Sequence, residues 1–151
     1  MIRKIRPAVM LSLLVVSFLY IEDLNAQVVD IEITNIRNDK GSILLGVFTD
    51  HEGFAEEEAI IDIILSKEKM ENGNLKLILE LEPGTYGISV LDDENDNGEM
   101  DYNFLGIPKE GFGFSNYLHT ALRRPVFENF KFDLSGSQRR KKILIKMTYY
   151  F

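Results

Sequence analysis

Between positions 93 and 101 the chain reads Asp-Glu-Asn-Asp-Asn-Gly-Glu-Met-Asp. Oxygen-bearing side chains fall at Asp93, Asn95, Asn97 and Asp101, and Gly98 follows the third of them. Alternate residues of a tight loop can turn their side chains toward one centre, and a glycine reaches positive φ at little steric cost. A hard cation such as calcium takes roughly six to eight oxygens at about 2.3–2.6 Å. The spacing therefore predicts a metal loop. Asp93, Asn95 and Asn97 give side-chain oxygens, Glu99 gives its backbone carbonyl, and Asp101 closes the shell directly or through a water. Asp92, Asp96, Asn103 and the Glu99 carboxylate are spare oxygen donors. The competing reading is a polar turn of Asn, Asp and Gly that holds no ion.

The first half of this run follows the EF-hand pattern and the second half leaves it. An EF-hand loop ends on a bidentate Glu at its twelfth position, and counting from Asp93 that position is Phe104. No helical period flanks the loop. It resembles instead the shorter Asp-x-Asp-x-Asp-Gly-x-x-Asp calcium loops of extracellular β-domains. Of the aligned ligands only Asp93 and Asp101 are charged. Affinity falls with charge count, so the expectation is a structural site in the ~10⁻⁴–10⁻³ M range of extracellular modules.

Other chemistry is thinly supplied. His51 and His119 are the two imidazoles. Ser115 and His119 lie close in sequence, with Glu110 and Glu128 as orienting carboxylates, which makes a small hydrolase the alternative reading. A triad is recognised by geometry and not by sequence proximity, and no nucleophile-elbow signature is present. Two distant histidines with no cysteine make a poor zinc site. The stretch Lys109–Asn116 sets Lys109, Glu110, Ser115 and Asn116 beside Phe112 and Phe114. Ligand sites use such an apolar floor with few polar groups. The favoured reading is a loop that merely caps the end of the sandwich, with a surface for a protein or glycan partner as the alternative. Glu56, Glu57 and Glu58 read as a solvated acidic face.

Positions 1–26 stand apart. Arg3, Lys4 and Arg6 precede an apolar run from Ala8 to Ile21, and Leu24-Asn25-Ala26 ends in a small residue. That is the pattern of a secretory signal peptide cut after Ala26. The run falls short of the roughly 20 apolar residues of a transmembrane helix, so no span is expected in the mature chain. Removal of this segment takes away three basic residues with Glu22 and Asp23, a net +1, so the mature charge is −8 against −7 for all 151 residues. Such acidity disfavours nucleic acid as a partner. The chain has no cysteine, so it forms no disulfide although export would permit one. The expected location is the periplasm or the cell exterior.

Residues 27–151 read as one domain, long enough for a real hydrophobic core. Val28–Ile36 and Ser42–Thr49 flank Asn38-Asp39-Lys40-Gly41 and predict a β-hairpin. Asp50–Glu58 is polar, with Phe54 turned inward. Ala59–Leu65 predicts a strand. Leu75–Leu81 has the clearest period of two, with its leucines on one face. Pro83-Gly84 predicts a tight turn into a strand at Tyr86–Leu91, which delivers the chain into the metal loop. Residues 102–118 predict an ordered loop pinned by Phe112 and Phe114. Val126–Leu134 predicts a strand, Ser135–Lys142 a basic turn, and Ile143–Phe151 a closing strand. About seven antiparallel strands without helical period predict an all-β sandwich of the Ig-like or transthyretin-like kind. The terminal Phe151 suits an outer-membrane barrel, but the strands are too few and too polar for one.

Four stretches together resemble a known family. They are Leu81-Glu82-Pro83-Gly84-Thr85-Tyr86-Gly87, the run Asp92–Asp101, the run from Phe104 through Gly106-Ile107-Pro108-Lys109-Glu110-Gly111 to Asn116, and Pro125-Val126-Phe127-Glu128. With these the chain is similar to the DUF2141 family of exported bacterial proteins over nearly all of its mature length. The resemblance implies an exported single-domain β-sandwich and a binding or scaffold role without catalysis. It brings no established activity with it, and fold alone does not assign one.

Overall fold

The computed structural model describes residues 26–135 and 139–151. Except for Ala26, the leader expected over residues 1–26 lies outside the described residues. The described chain is nearly all β. Its strands are β1 (Gln27–Thr34), β2 (Ser42–Phe48), β3 (Ile61–Ser66), β4 (Leu75–Leu81), β5 (Gly84–Asp93), β6 (Gly111–Phe114), β7 (Phe132–Leu134) and β8 (Arg140–Lys146), with one short helix, α1 (His51–Glu56).

The strands form two sheets, one ordered β4-β1-β8 and the other β3-β2-β5-β6, with β7 also on β5. Val29, Ile31 and Ile33 of β1 and Ile143 and Ile145 of β8 share one core with Ile43, Leu45 and Val47 of β2 and Ile88 and Val90 of β5. Each is 3% exposed or less. Burying such a side chain contributes about 1.5–3 kcal/mol, so this layer dominates stability in a chain without disulfides. The arrangement is sandwich-like.

Most expected strands are present, but their partners differ from a local reading. β1 and β2 do not form a hairpin. β1 pairs antiparallel with β4 and β2 pairs with β3 and β5, so the turn between them carries the chain from one sheet to the other. Asn35 starts that departure at φ 65. Its Nδ2 donates to the Met147 carbonyl at 2.8 Å, and the Ile36 N–H donates to the Gly73 carbonyl at 2.9 Å. Nor is every pair antiparallel, since β1 and β8 run parallel from Val28↔Arg140 to Thr34↔Lys146.

Three further corrections follow from packing. Residues 102–118 contain a strand, because Gly111-Phe112-Gly113-Phe114 already alternates. The glycines face the inner layer, where a Cβ on Gly111 would lie 2.1 Å from the Tyr149 ring and one on Gly113 2.7 Å from Ile145. Val126–Leu134 is broken by a 3-10 turn at Phe127–Asn129, leaving only β7 extended. The last strand begins at Arg140, inside the expected basic turn, and ends at Lys146. Part of that turn lies outside the described residues.

Asp50 explains the unexpected helix. Its Oδ1 accepts the Gly53 N–H at 2.9 Å as an N-cap, and Glu57 ends the helix in the left-handed region at φ 62. Phe54 is buried as expected. It joins Phe48, Phe112, Phe114, Phe127 and Phe130 in a second apolar cluster. This cluster covers part of the outer face of the β3-β2-β5-β6 sheet. Gly87 permits it, because a Cβ there would meet Phe130 at 2.6 Å and Phe127 at 2.7 Å. The Pro-Gly-Thr-Tyr turn has its own lock, with the Tyr86 hydroxyl donating back to the Glu82 carbonyl at 3.0 Å.

Candidate functional site

β5 ends in the acidic loop, and the loop is wound by its own side chains. Asp93 is 1% exposed. Its two carboxylate oxygens accept the N–H groups of Asn97 at 3.1 Å and Gly98 at 2.8 Å. Asn95 Oδ1 accepts the Asn97 N–H at 3.0 Å, and Asn97 Oδ1 accepts the Glu99 N–H at 2.9 Å. Asn95 Nδ2 donates to Asp101 Oδ2 at 2.7 Å, which brings the middle of the loop against its end. Asp96 and Gly98 take the positive φ values, 56 and 83, that so tight a turn requires. Among the described residues no group of three or more His, Cys, Asp or Glu side chains could hold a metal ion. A cation here would therefore need the amide oxygens of Asn95 and Asn97 and backbone carbonyls as well. The donor set is all oxygen, and a carboxylate oxygen that accepts one N–H keeps a further lone pair. Oxygen is the donor type that a hard divalent ion takes, and these oxygens are already engaged with N–H groups of the loop.

Glu110 holds this loop from beneath. One of its carboxylate oxygens accepts the Glu94 N–H at 3.0 Å and the other the Asp101 N–H at 3.1 Å, so it ties together the two ends of the turn. Burial pushes its carboxyl pKa up, and the nearby Asp93 and Asp101 charges act in the same direction against the two N–H bonds. In sequence it looked like part of a ligand surface. Asn103 is likewise spent locally, its Oδ1 accepting the Leu105 and Ile107 N–H groups at 2.9 and 3.0 Å.

Asp92 points the other way, into the layer between the sheets. It is fully buried and ion-paired with the equally buried Lys67. Lys67 Nζ also donates to the Lys40 carbonyl, and Tyr149 donates its hydroxyl to Asp92 Oδ2 at 2.6 Å. Burial, then the bond to Asp92, raises the Tyr149 pKa, so the phenol stays a donor. Arg37 stacks 4.6 Å over the Tyr149 ring and bonds Glu94 at 2.5 Å. Burial alone would raise the Glu94 pKa, but the Arg37 bond and charge bring it below the usual value.

The residues of the expected ligand surface part company. Ser115 is buried, its Oγ accepting the Ile88 N–H at 2.9 Å and donating to the Phe130 carbonyl at 2.6 Å. Asn116 pairs with β8 through Leu144, its Oδ1 accepting at 3.0 Å. Lys109 is exposed, and its carbonyl accepts from Arg37 at 3.2 Å. His119 is 6% exposed among the rings of Phe112, Phe114 and Tyr117, whose centroids lie 5.8–5.9 Å away. Its Nδ1 has no hydrogen-bond partner among the described residues. The Ser115 hydroxyl is thus committed to backbone groups and makes no hydrogen bond to His119.

Only Phe112 and Phe114 of that set face an open groove of about 890 Å³ on the outer face of the β3-β2-β5-β6 sheet. Its floor is Leu44 and Gly46 of β2 with Ser89 and Leu91 of β5. β3 adds Asp62 and Ile64, and Tyr150, His119 and Arg124 stand on the walls. Arg124 fastens α1 to this wall. It bonds Glu57 at 2.9 Å and the Phe54 carbonyl at 2.7 Å, and lies 4.3 Å over the Phe54 ring. The floor went unread in the sequence. Its signal was the unbroken apolar run Ile43-Leu44-Leu45-Gly46-Val47-Phe48, which marks a strand covered on both faces.

These features define a two-sheet β protein with an internally braced acidic turn and a groove across one sheet. Residues 31–142 match the family model described as an uncharacterized protein conserved in bacteria (DUF2141), and the chain belongs to that family. No curated protein and no solved structure matches it. Among the described residues no helix is long and apolar enough to cross a membrane.

Proposed function

We propose that the chain is an exported, calcium-stabilised binding module that works in the periplasm or outside the cell without catalysis. The groove carries this reading, because an open apolar floor between polar rims is what a ligand face needs. The hydrolase alternative finds no support in Ser115, whose hydroxyl is already used twice within the fold. Nile red, a neutral apolar dye, should brighten on the full chain as it enters the groove. Ser89→Trp, which fills the floor, should abolish the signal while leaving the melting midpoint in place. An equal signal from that variant places the dye elsewhere and removes the groove from the reading.

Calcium would sit in the Asp93–Asp101 turn, on Asp93, Asn95, Asn97, the Glu99 carbonyl and Asp101. At tenfold excess over its dissociation constant it should add about 1.4 kcal/mol, a rise of several degrees in the midpoint. Magnesium, which holds its water more tightly and demands octahedral geometry, should give less. Asp93→Ala and Asp101→Ala should each lower the basal midpoint and lose the calcium shift. A midpoint that ignores millimolar calcium in the unmodified chain would count against the ion.

A further inference from the structure

We infer that the groove takes an extended basic segment of a partner polypeptide, with a bulky apolar side chain over Leu44 and Leu91 and lysines or arginines against the rim. This rests on the binding reading above and specifies its ligand.

The floor has a direction. Strand register sets Ile64, Leu44, Leu91 and Phe112 in one row across four strands, with Asp62, Gly46, Ser89 and Phe114 in the row beside it. Strands lie about 4.8 Å apart, so each row is roughly 14 Å long, the reach of about four extended residues. The first row is apolar throughout. In the second, the Phe48 ring already crowds Gly46, where a Cβ would lie 3.0 Å from it, and Ser89 is a small, half-buried residue. A chain with alternating side chains can set one apolar residue over Leu44 and Leu91 and turn its neighbours outward.

The rim sets the charge. Asp62, Asp96 and Glu99 line the groove and are exposed. None of them forms an ion pair among the described residues. Among the described residues the one Lys or Arg on the rim, Arg124, is engaged by Glu57 and the Phe54 carbonyl. Cationic flanks therefore meet carboxylates without a counter-charge, Asp96 being hydrogen-bonded by the Ser42 hydroxyl at 2.8 Å, while anionic lipid headgroups meet repulsion. The wall also holds His119, nine-tenths buried, with its Nδ1 unmet among the described residues. Buried polar atoms without partners are uncommon in folded proteins. That nitrogen is closed to solvent within the ring cluster, and what selects a polypeptide is the length of the rows together with the rim charge.

The test uses the full chain and three labelled octapeptides followed by fluorescence anisotropy. One alternates Phe and Lys, one has Glu for Lys, and one has Ala for Phe. The Phe/Lys peptide should bind at least about tenfold tighter than either control and weaken as salt rises. It should shift the amide resonances of Leu44, Gly46, Ser89 and Leu91, lose several-fold in affinity on Asp62→Lys, and lose binding on Ser89→Trp. Equal binding of the Phe/Glu peptide, resonance shifts away from the sheet face, or stronger binding to phosphatidylglycerol vesicles than to the peptide each overturns the assignment. If Nile red enters the groove and no peptide does, the binding module stands and its polypeptide ligand falls. If neither binds, both fall.

Discussion

Phe130→Ala should destabilise the protein by about 3–5 kcal/mol, the range for an aromatic lost from a core that cannot close over the gap. Phe130 is 1% exposed. Its ring meets Phe54 edge-on at 4.8 Å, Phe114 at 5.0 Å and Phe127 at 5.6 Å. It rests against Gly87, where no side chain is available to fill the space it leaves. Its carbonyl accepts the Ser115 hydroxyl, so movement of this turn also disturbs a bond that reaches β5. Urea unfolding should show a lower midpoint with an unchanged slope. Val126→Ala, close in sequence but 46% exposed, should stay within about 0.5 kcal/mol. A Phe130→Ala loss below about 1 kcal/mol would show that the outer aromatic cluster is not a true core.

Lys67→Met should cost about 3–5 kcal/mol, because it leaves the Asp92 carboxylate buried without its counter-charge. Among the described residues the Tyr149 hydroxyl is then the remaining partner of that group, and one neutral donor does not offset a buried charge. Asp92→Leu strands the ammonium of Lys67 in the same way. The double variant Lys67→Met with Asp92→Leu removes both charges and should recover most of the loss. With each single loss at about 3–5 kcal/mol and most of it recovered in the double variant, the cycle should show a coupling of at least about 4 kcal/mol, above the usual range for contacting residues. Additive losses would mean that the two groups do not depend on each other. The result matters for the acidic loop, since this pair anchors the end of β5 on which the loop is built.

Much of this architecture was legible in local pattern. The alternating leucines of Leu75–Leu81 and the face shared by Tyr86, Ile88 and Val90 lie where a period of two puts them. Partner choice was not legible. Asn38-Asp39-Lys40-Gly41 is good turn chemistry whether the chain doubles back or crosses to another sheet, and a contact such as Asn35 with Met147 decides which. β6 was hidden because glycine carries no hydropathy signal, although its alternation follows from the space that Tyr149 and Ile145 occupy. The acidic loop was read as a tight turn with positive φ at Gly98, and its backbone agrees. The roles of Glu110 and Asp92 depend on burial. A carboxylate among glycines looks like a surface group until its neighbours are known.

The parallel pairing of β1 with β8 has a consequence for how the molecule is made. β1 is the central strand of its sheet, yet residues it pairs with, such as Val28 and Arg140, are 112 positions apart. Contacts of such high order are slow to form, because the loop entropy is lost before the contact contributes. On a growing chain β1 emerges early and keeps one flank open until β8 follows. Native closure of that flank is thereby deferred until β8 has been made.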